Sequence, residues 1–200
     1  MKLTTNDKVL IGGGILAVSI LAFFYLRTKL GKGGAKGFFN LKPKKVLLLG
    51  GLDTRSTDKK ISEQEELLKL GLGKGLETIS YRYNNPQGIL DSIKAESNVY
   101  VILFSAGCTH AEQVAKELKE QGGNLANLYI VEPYHVGGKA TKSVRNAVGL
   151  GVPSKNVLVG NYKQAGLGIV DNATSTPNCS PSHWCALEMV GKKLNLDEKK

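Results

Sequence analysis

Cysteine and histidine are scarce in this chain, and the scarcity narrows its chemistry. Three cysteines (Cys108, Cys179 and Cys185) and three histidines occur in 200 residues. They form no C-x-x-C pair, and no His/Cys/acid cluster has the spacing of a zinc site, so no metal is expected. The odd cysteine count fits a reducing compartment, with a Cys179 to Cys185 loop closure left open. A phosphate loop is missing as well. The run Gly71-Leu72-Gly73-Lys74-Gly75 approximates one, but Leu68 stands at its first glycine position and Gly75 where a Ser or Thr would bind magnesium. It reads as a helix stop followed by a turn, and no cofactor is expected.

Charge is absent from Val9 to Leu26, eighteen residues bounded by Lys8 and Arg27. At about 1.5 Å per residue, a helix of that length spans roughly 27 Å, close to the hydrocarbon thickness of a bilayer. A run apolar on every face is a poor core helix, and no A-x-A cleavage site follows it, so a single membrane span is expected rather than a signal peptide. Acids are absent from the next stretch, where Arg27, Lys29, Lys32, Lys36, Lys42, Lys44 and Lys45 follow one another. By the positive-inside rule these place the large C-terminal part on the cytoplasmic side, or inside a membrane-containing virion. They also supply seven of the charges behind the formal net charge of +10. Anionic head groups are their natural partners. Nucleic acid is not expected, because the remaining lysines are scattered and not interleaved with aromatics. Gly13 and Ala17 form a small-x-x-x-small face suited to self-association.

What is present after the tether is alternation. Residues 1–8 are read as a short tail, 9–26 as the span, 27–44 as a Gly/Lys tether with a Phe38-Phe39 pair, and 45–200 as one domain. Five short apolar runs, at Lys45–Gly51, Leu76–Tyr83, Val99–Phe104, Leu128–Val131 and Val157–Gly160, are expected strands. Helices are expected at 58–70, 87–95, 109–121, 141–150 and 183–194, the first with Ile61, Leu67, Leu68 and Leu70 on its apolar side. Residues 161–182 read as a long loop, which compact domains seldom keep without a use. The fold class implied is α/β: three layers, α/β/α, around a mainly parallel sheet of about five strands. In such sheets the strand ends carry function, here Gly50, Ser105, Glu132 and Asn161.

The run Val99–Cys108 is a buried strand that breaks at Ser105-Ala106-Gly107 and leads into a helix. A serine on such a turn stands above the sheet edge, where a helix N-terminus favours developing negative charge. Ser105 is therefore the candidate nucleophile, the competing reading being a polar turn residue that caps the helix. A nucleophilic serine needs a base, a group that orients the base, and oxyanion donors. His183, at the junction of the long loop and the last helix, is the candidate base. His110 lies on the same helix as Ser105 and would point back along it. Asp171 is the first candidate for the orienting acid and Glu132 the second. The donors would be the backbone amides of Ala106 and of the Gly51-Leu52 turn.

This order of elements, with the Gly50-Gly51-Leu52-Asp53 loop, Ser105-Ala106-Gly107 and His183-Trp184 before the last helix, resembles the α/β-hydrolase superfamily of esterases and lipases over about residues 45 to 195. The departures are Leu103 where the first glycine of G-x-S-x-G belongs, Asn161 rather than an acid just after the fifth strand, and no evident strand before His183. The resemblance implies a membrane-anchored hydrolase with Ser105, His183 and Asp171 or Glu132 as its triad, acting on a small ester, thioester or acyl substrate. The alternative is a catalytically inactive scaffold, such as a minor structural membrane protein of a membrane-containing virus, partnered by a second copy or a capsid protein. A third option is a peptidoglycan- or nucleotide-directed enzyme on a doubly wound sheet.

Overall fold

In the computed structural model the chain divides into two units, Met1–Asn40 and Leu41–Lys200. The structure describes residues 42–51, 58–73, 75–133, 139–160, 172–176 and 185–198, all in the second unit. The expected span Val9–Leu26 lies outside them; among the described residues no helix is long and apolar enough to cross a membrane.

The domain is α/β. Six strands, β1 (Lys45–Leu49), β2 (Glu77–Tyr81), β3 (Tyr100–Phe104), β4 (Leu128–Val131), β5 (Val157–Gly160) and β6 (Thr174–Thr176), form one sheet in the order β2-β1-β3-β4-β5-β6. Every neighbouring pair is parallel. The strands alternate in which layer they feed. Leu47, Leu49, Val101, Leu103, Leu128, Ile130, Val157 and Val159 enter one core cluster, while Val46, Leu48, Tyr100, Ile102, Phe104, Tyr129, Val131 and Leu158 enter the other. That period of two, with both sets buried, is why the strands read as unbroken apolar runs.

Helices cover both faces. On the first, α2 (Pro86–Ala95), α3 (Ala111–Glu120) and α4 (Lys139–Leu150) supply Ile89, Ile93, Val114, Leu118, Val144 and Ala147. On the second, α1 (Asp58–Leu72) and α5 (Cys185–Glu198) supply Leu68, Leu72, Leu187, Val190 and Leu194. Helix α2 starts cleanly because Pro86 stands in its first turn and the Asn85 side chain accepts a 3.1 Å hydrogen bond from the Gly88 amide.

Four details differ from the sequence reading. Helix α1 runs through Gly71 to Leu72 instead of stopping at Leu70, and Leu70 is 72 % exposed rather than on the apolar side. Gly71 is used for contact: a Cβ on it would stand 2.4 Å from the Glu188 carbonyl oxygen and 2.9 Å from the Gly191 Cα of α5. The helix after β3 begins with a 3-10 turn, Ser105–His110, before α3 proper. Strand β6 lies inside the stretch read as loop, and its Thr-Ser-Thr sequence carries no apolar signal to announce it. Finally, Cys185 is disulfide-bonded while Cys108 is a free, buried thiol. The bonded Cys185 does not fit the reducing compartment that the odd cysteine count suggested, and it agrees with the loop closure left open beside it; Cys179 lies outside the described residues.

Because β1 pairs with both β2 and β3, the chain leaves the sheet in opposite directions from β1 and β3. The carboxyl ends of these two strands flank the point where strand order reverses, the usual place for a ligand crevice in open parallel sheets. Gly50 and Gly51 follow β1 there, and Ser105 follows β3.

Candidate functional site

Ser105 leaves β3 with φ +53, in the left-handed region. For a residue with a Cβ that conformation costs about 1–3 kcal/mol and persists only where the surroundings impose it. Two glycines show what imposes it. A Cβ on Gly51 would lie 2.8 Å from Ser105 Cβ and 3.2 Å from Ser105 Oγ, so the turn after β1 rests directly on the serine side chain. A Cβ on Gly107 would lie 2.6 Å from the Leu49 carbonyl oxygen and 2.7 Å from that of Gly50, so the 3-10 turn sits on the main chain leaving β1. Only glycine fits at either point. Leu103, where a glycine was expected, is fully buried in the core beneath α2, α3 and α4.

Ser105 is 5 % exposed. The next residue, Ala106, lies at the start of the 3-10 turn, where the first amides have no intrahelical acceptor and no side chain caps them. The Ala106 N–H thus lies in an uncapped first turn beside Ser105. The Gly51 N–H is already committed, since it donates to Gln64 Oε1 at 3.3 Å. Leu52 lies outside the described residues.

Glu132 follows β4 as Ser105 follows β3. The register pairs Phe104 with Val131, so the two residues emerge side by side, and Glu132 is likewise left-handed, at φ +48. Its amide donates to the Leu158 carbonyl oxygen at 2.8 Å. The residue is 1 % exposed, with Oε2 sealed from solvent. Cys108 lies in the same interior and donates to the Leu103 carbonyl at 3.2 Å. Burial drives its thiol pKa far up, and the nearby Glu132 carboxylate adds to the shift, so Cys108 is a protonated core residue and no nucleophile. Asp171 and His183 lie outside the described residues.

His110 is held elsewhere. Burial lowers its pKa, while hydrogen bonds to the Tyr83 main chain and the Gln113 side chain act in the opposite direction. It borders an open cleft of about 390 Å³ between the starts of α3 and α4. In that cleft the Glu112 amide donates to Ser143 Oγ at 2.9 Å, and Lys116 pairs with Glu112 at 2.7 Å.

The residue sequence reasoning passed over is Gln64. It is 2 % exposed and reaches from α1 under the glycine turn, where a Cβ on Gly50 would stand next to its Oε1. Its signal was available: Ile61, Gln64 and Leu68 share the helical spacing of a buried stripe, and a polar residue on such a stripe needs a partner.

The structure thus brings Ser105, Ala106, Gly51 and Glu132 together at the carboxyl edge, at the ends of three adjacent strands. Neither a family model, nor a curated protein, nor a solved structure matches the chain, so the site stands on its own geometry.

Proposed function

We propose that this chain is a membrane-tethered serine hydrolase of the α/β-hydrolase type, cleaving an ester, thioester or related acyl bond. The observation that carries the reading is Ser105 itself: a non-glycine residue held at φ +53 on the turn from a central parallel strand into a helix, with Gly51 against its side chain and Gly107, two residues on, against the main chain leaving β1. A strained strand-to-helix turn of this kind is the nucleophile elbow of that chemistry.

Ser105 Oγ attacks the acyl carbon as His183 takes its proton. The carbonyl oxygen becomes an oxyanion facing the Ala106 N–H, and the leaving alcohol or thiol takes the proton back from His183. Water then repeats the sequence on the acyl-enzyme. The chain order Ser105, acid, His183 is that of these enzymes for either candidate acid. Glu132 now ranks ahead of Asp171, because it emerges beside Ser105 at the end of the next strand and is buried. Strand β6 ends at Thr176 on the same edge and α5 starts at Cys185; the role of His183 rests on its place in the sequence alone.

The membrane part of the proposal rests on sequence alone. Val9–Leu26 would span the bilayer and the basic run to Lys45 would lie on its anionic surface, keeping the domain close to a lipid-like substrate.

Hydrolysis of p-nitrophenyl acetate and of a longer-chain ester tests the assignment. Ser105→Ala and His183→Ala should each lower kcat by about 10³-fold or more. Glu132→Gln should lower it by about 10²-fold or more, and Asp171→Asn should leave it within a few-fold. A reversed order for the two acids would return the role to Asp171.

One observation favours the scaffold reading instead: the Gly51 N–H, a candidate donor, is already bonded to Gln64. A folded protein that hydrolyses no ester above the Ser105→Ala background would establish that reading.

A further inference from the structure

We propose that Gln64 is a positioning residue of the site, holding the glycine turn after β1 in the place that shapes the Ser105 elbow. The inference rests on the hydrolase reading above.

Three observations converge on this side chain. It is a neutral carboxamide almost wholly buried at the end of the sheet, on a helix whose neighbouring buried positions are apolar. Such a group is retained only where its hydrogen bond repays desolvation. Its one protein partner among the described residues is the Gly51 amide, thirteen residues earlier and in the turn that touches Ser105. At Gly50 the Gln64 oxygen occupies the space a Cβ would take, so any larger residue there would displace the Gln64 carboxamide. The chain of contact therefore runs from α1 through Gln64 Oε1 to Gly51 N–H, and from Gly51 Cα to the Ser105 side chain.

Two consequences follow for the chemistry. The Gly51 peptide is fixed with its N–H turned toward α1, so Gly51 serves as the close-packing floor under Ser105 while Ala106 supplies the amide beside it. The turn also cannot drift toward Ser105 or away from it without breaking a buried hydrogen bond, which limits how far Oγ and the Ala106 amide can move relative to each other. Gln64 touches neither substrate nor the reacting atoms, so its effect should reach the rate and spare substrate affinity.

The experiment uses the full-length protein in detergent, with a fluorophosphonate probe for labelling rate and p-nitrophenyl acetate for kcat and KM. Gln64→Leu removes the acceptor at nearly constant volume, and Gln64→Met does so with a more adaptable side chain if the leucine variant does not fold. Gln64→Glu keeps an oxygen at the same reach. The expected result is a labelling rate and kcat about tenfold lower in the Leu or Met variant, with KM within twofold of wild type. In Gln64→Glu the rate should recover to within about threefold of wild type at the acid end of the active range, where a buried carboxyl is most nearly neutral, and fall as pH rises. A wild type that labels together with a folded Leu or Met variant that labels equally fast would overturn the role of Gln64 and leave the hydrolase reading standing. Equal losses in Gln64→Leu and Gln64→Glu at every pH would reduce Gln64 to a packing residue. A folded wild type that does not label at all removes the hydrolase reading, and this inference with it.

Discussion

At Ser105 two demands on one residue conflict, and the conflict has a measurable size. The proposed chemistry needs a hydroxyl, which requires a Cβ, while the backbone there favours glycine. Replacing Ser105 with Gly or with Ala removes the hydroxyl either way, but only glycine relieves the left-handed strain. The relief of about 1–3 kcal/mol is offset by the larger unfolded-state entropy of glycine, about 0.5–1 kcal/mol. Ser105→Gly should therefore be more stable than Ser105→Ala by about 1 kcal/mol, a thermal midpoint about 2–4 °C higher. Equal or reversed midpoints would show that the turn is not strained at this position. Sequence made Ser105 visible because an apolar run broke at a small polar residue and a glycine. It marked Gln64 only as a polar residue on an apolar stripe and could not show its partner thirteen residues away, nor could it rank Glu132 above Asp171, because that ranking depends on the register of β3 against β4.

Among the elements, the pairing of α1 with α5 is the one that sequence misread, and the glycines explain why. Gly71 looked like a helix stop by propensity. In the fold it continues α1 and lets α5 approach until Gly71 and Gly191 are in backbone contact, with a Cβ on Gly191 reaching 2.7 Å from the Leu68 carbonyl oxygen. Asn195 adds a hydrogen bond from its side-chain amide to the Gly71 carbonyl. Two effects oppose each other in Gly191→Ala. Helix propensity gains up to about 1 kcal/mol, whereas forcing a methyl against main-chain atoms that cannot yield costs about 1–3 kcal/mol or more. The collision should win, so Gly191→Ala is expected to lower the chemical-denaturation stability by about 1–2 kcal/mol, and an increase would contradict the crossing. The inner strands and their helices were legible because two buried faces make nearly every residue of β1, β3, β4 and β5 apolar; the edge strand β2, Glu-Thr-Ile-Ser-Tyr, is only half-buried and carries a weaker signal. Strand β6 was not legible, since Thr174-Ser175-Thr176 is short and polar and lies at the sheet edge.

For the whole molecule, the sheet order gathers the ends of β1, β3 and β4 on one edge and places the candidate nucleophile at the reversal of strand order. One feature of the sequence and one of the structure bear on where that edge works, and they pull in opposite directions. The basic run from Arg27 to Lys45 favours the interior side of a membrane, while the disulfide at Cys185 belongs to an oxidising surrounding. The central claim, that Ser105 is a working nucleophile, does not depend on the compartment. Its most direct test is to treat the full-length protein in detergent with a fluorophosphonate and locate the adduct by peptide mass spectrometry. Attack by Ser105 Oγ on phosphorus would expel fluoride and leave one phosphonyl group on the peptide carrying Ser105, with no adduct in Ser105→Ala or His183→Ala. An intact, folded protein that carries no adduct, or carries it on another residue, would contradict the account.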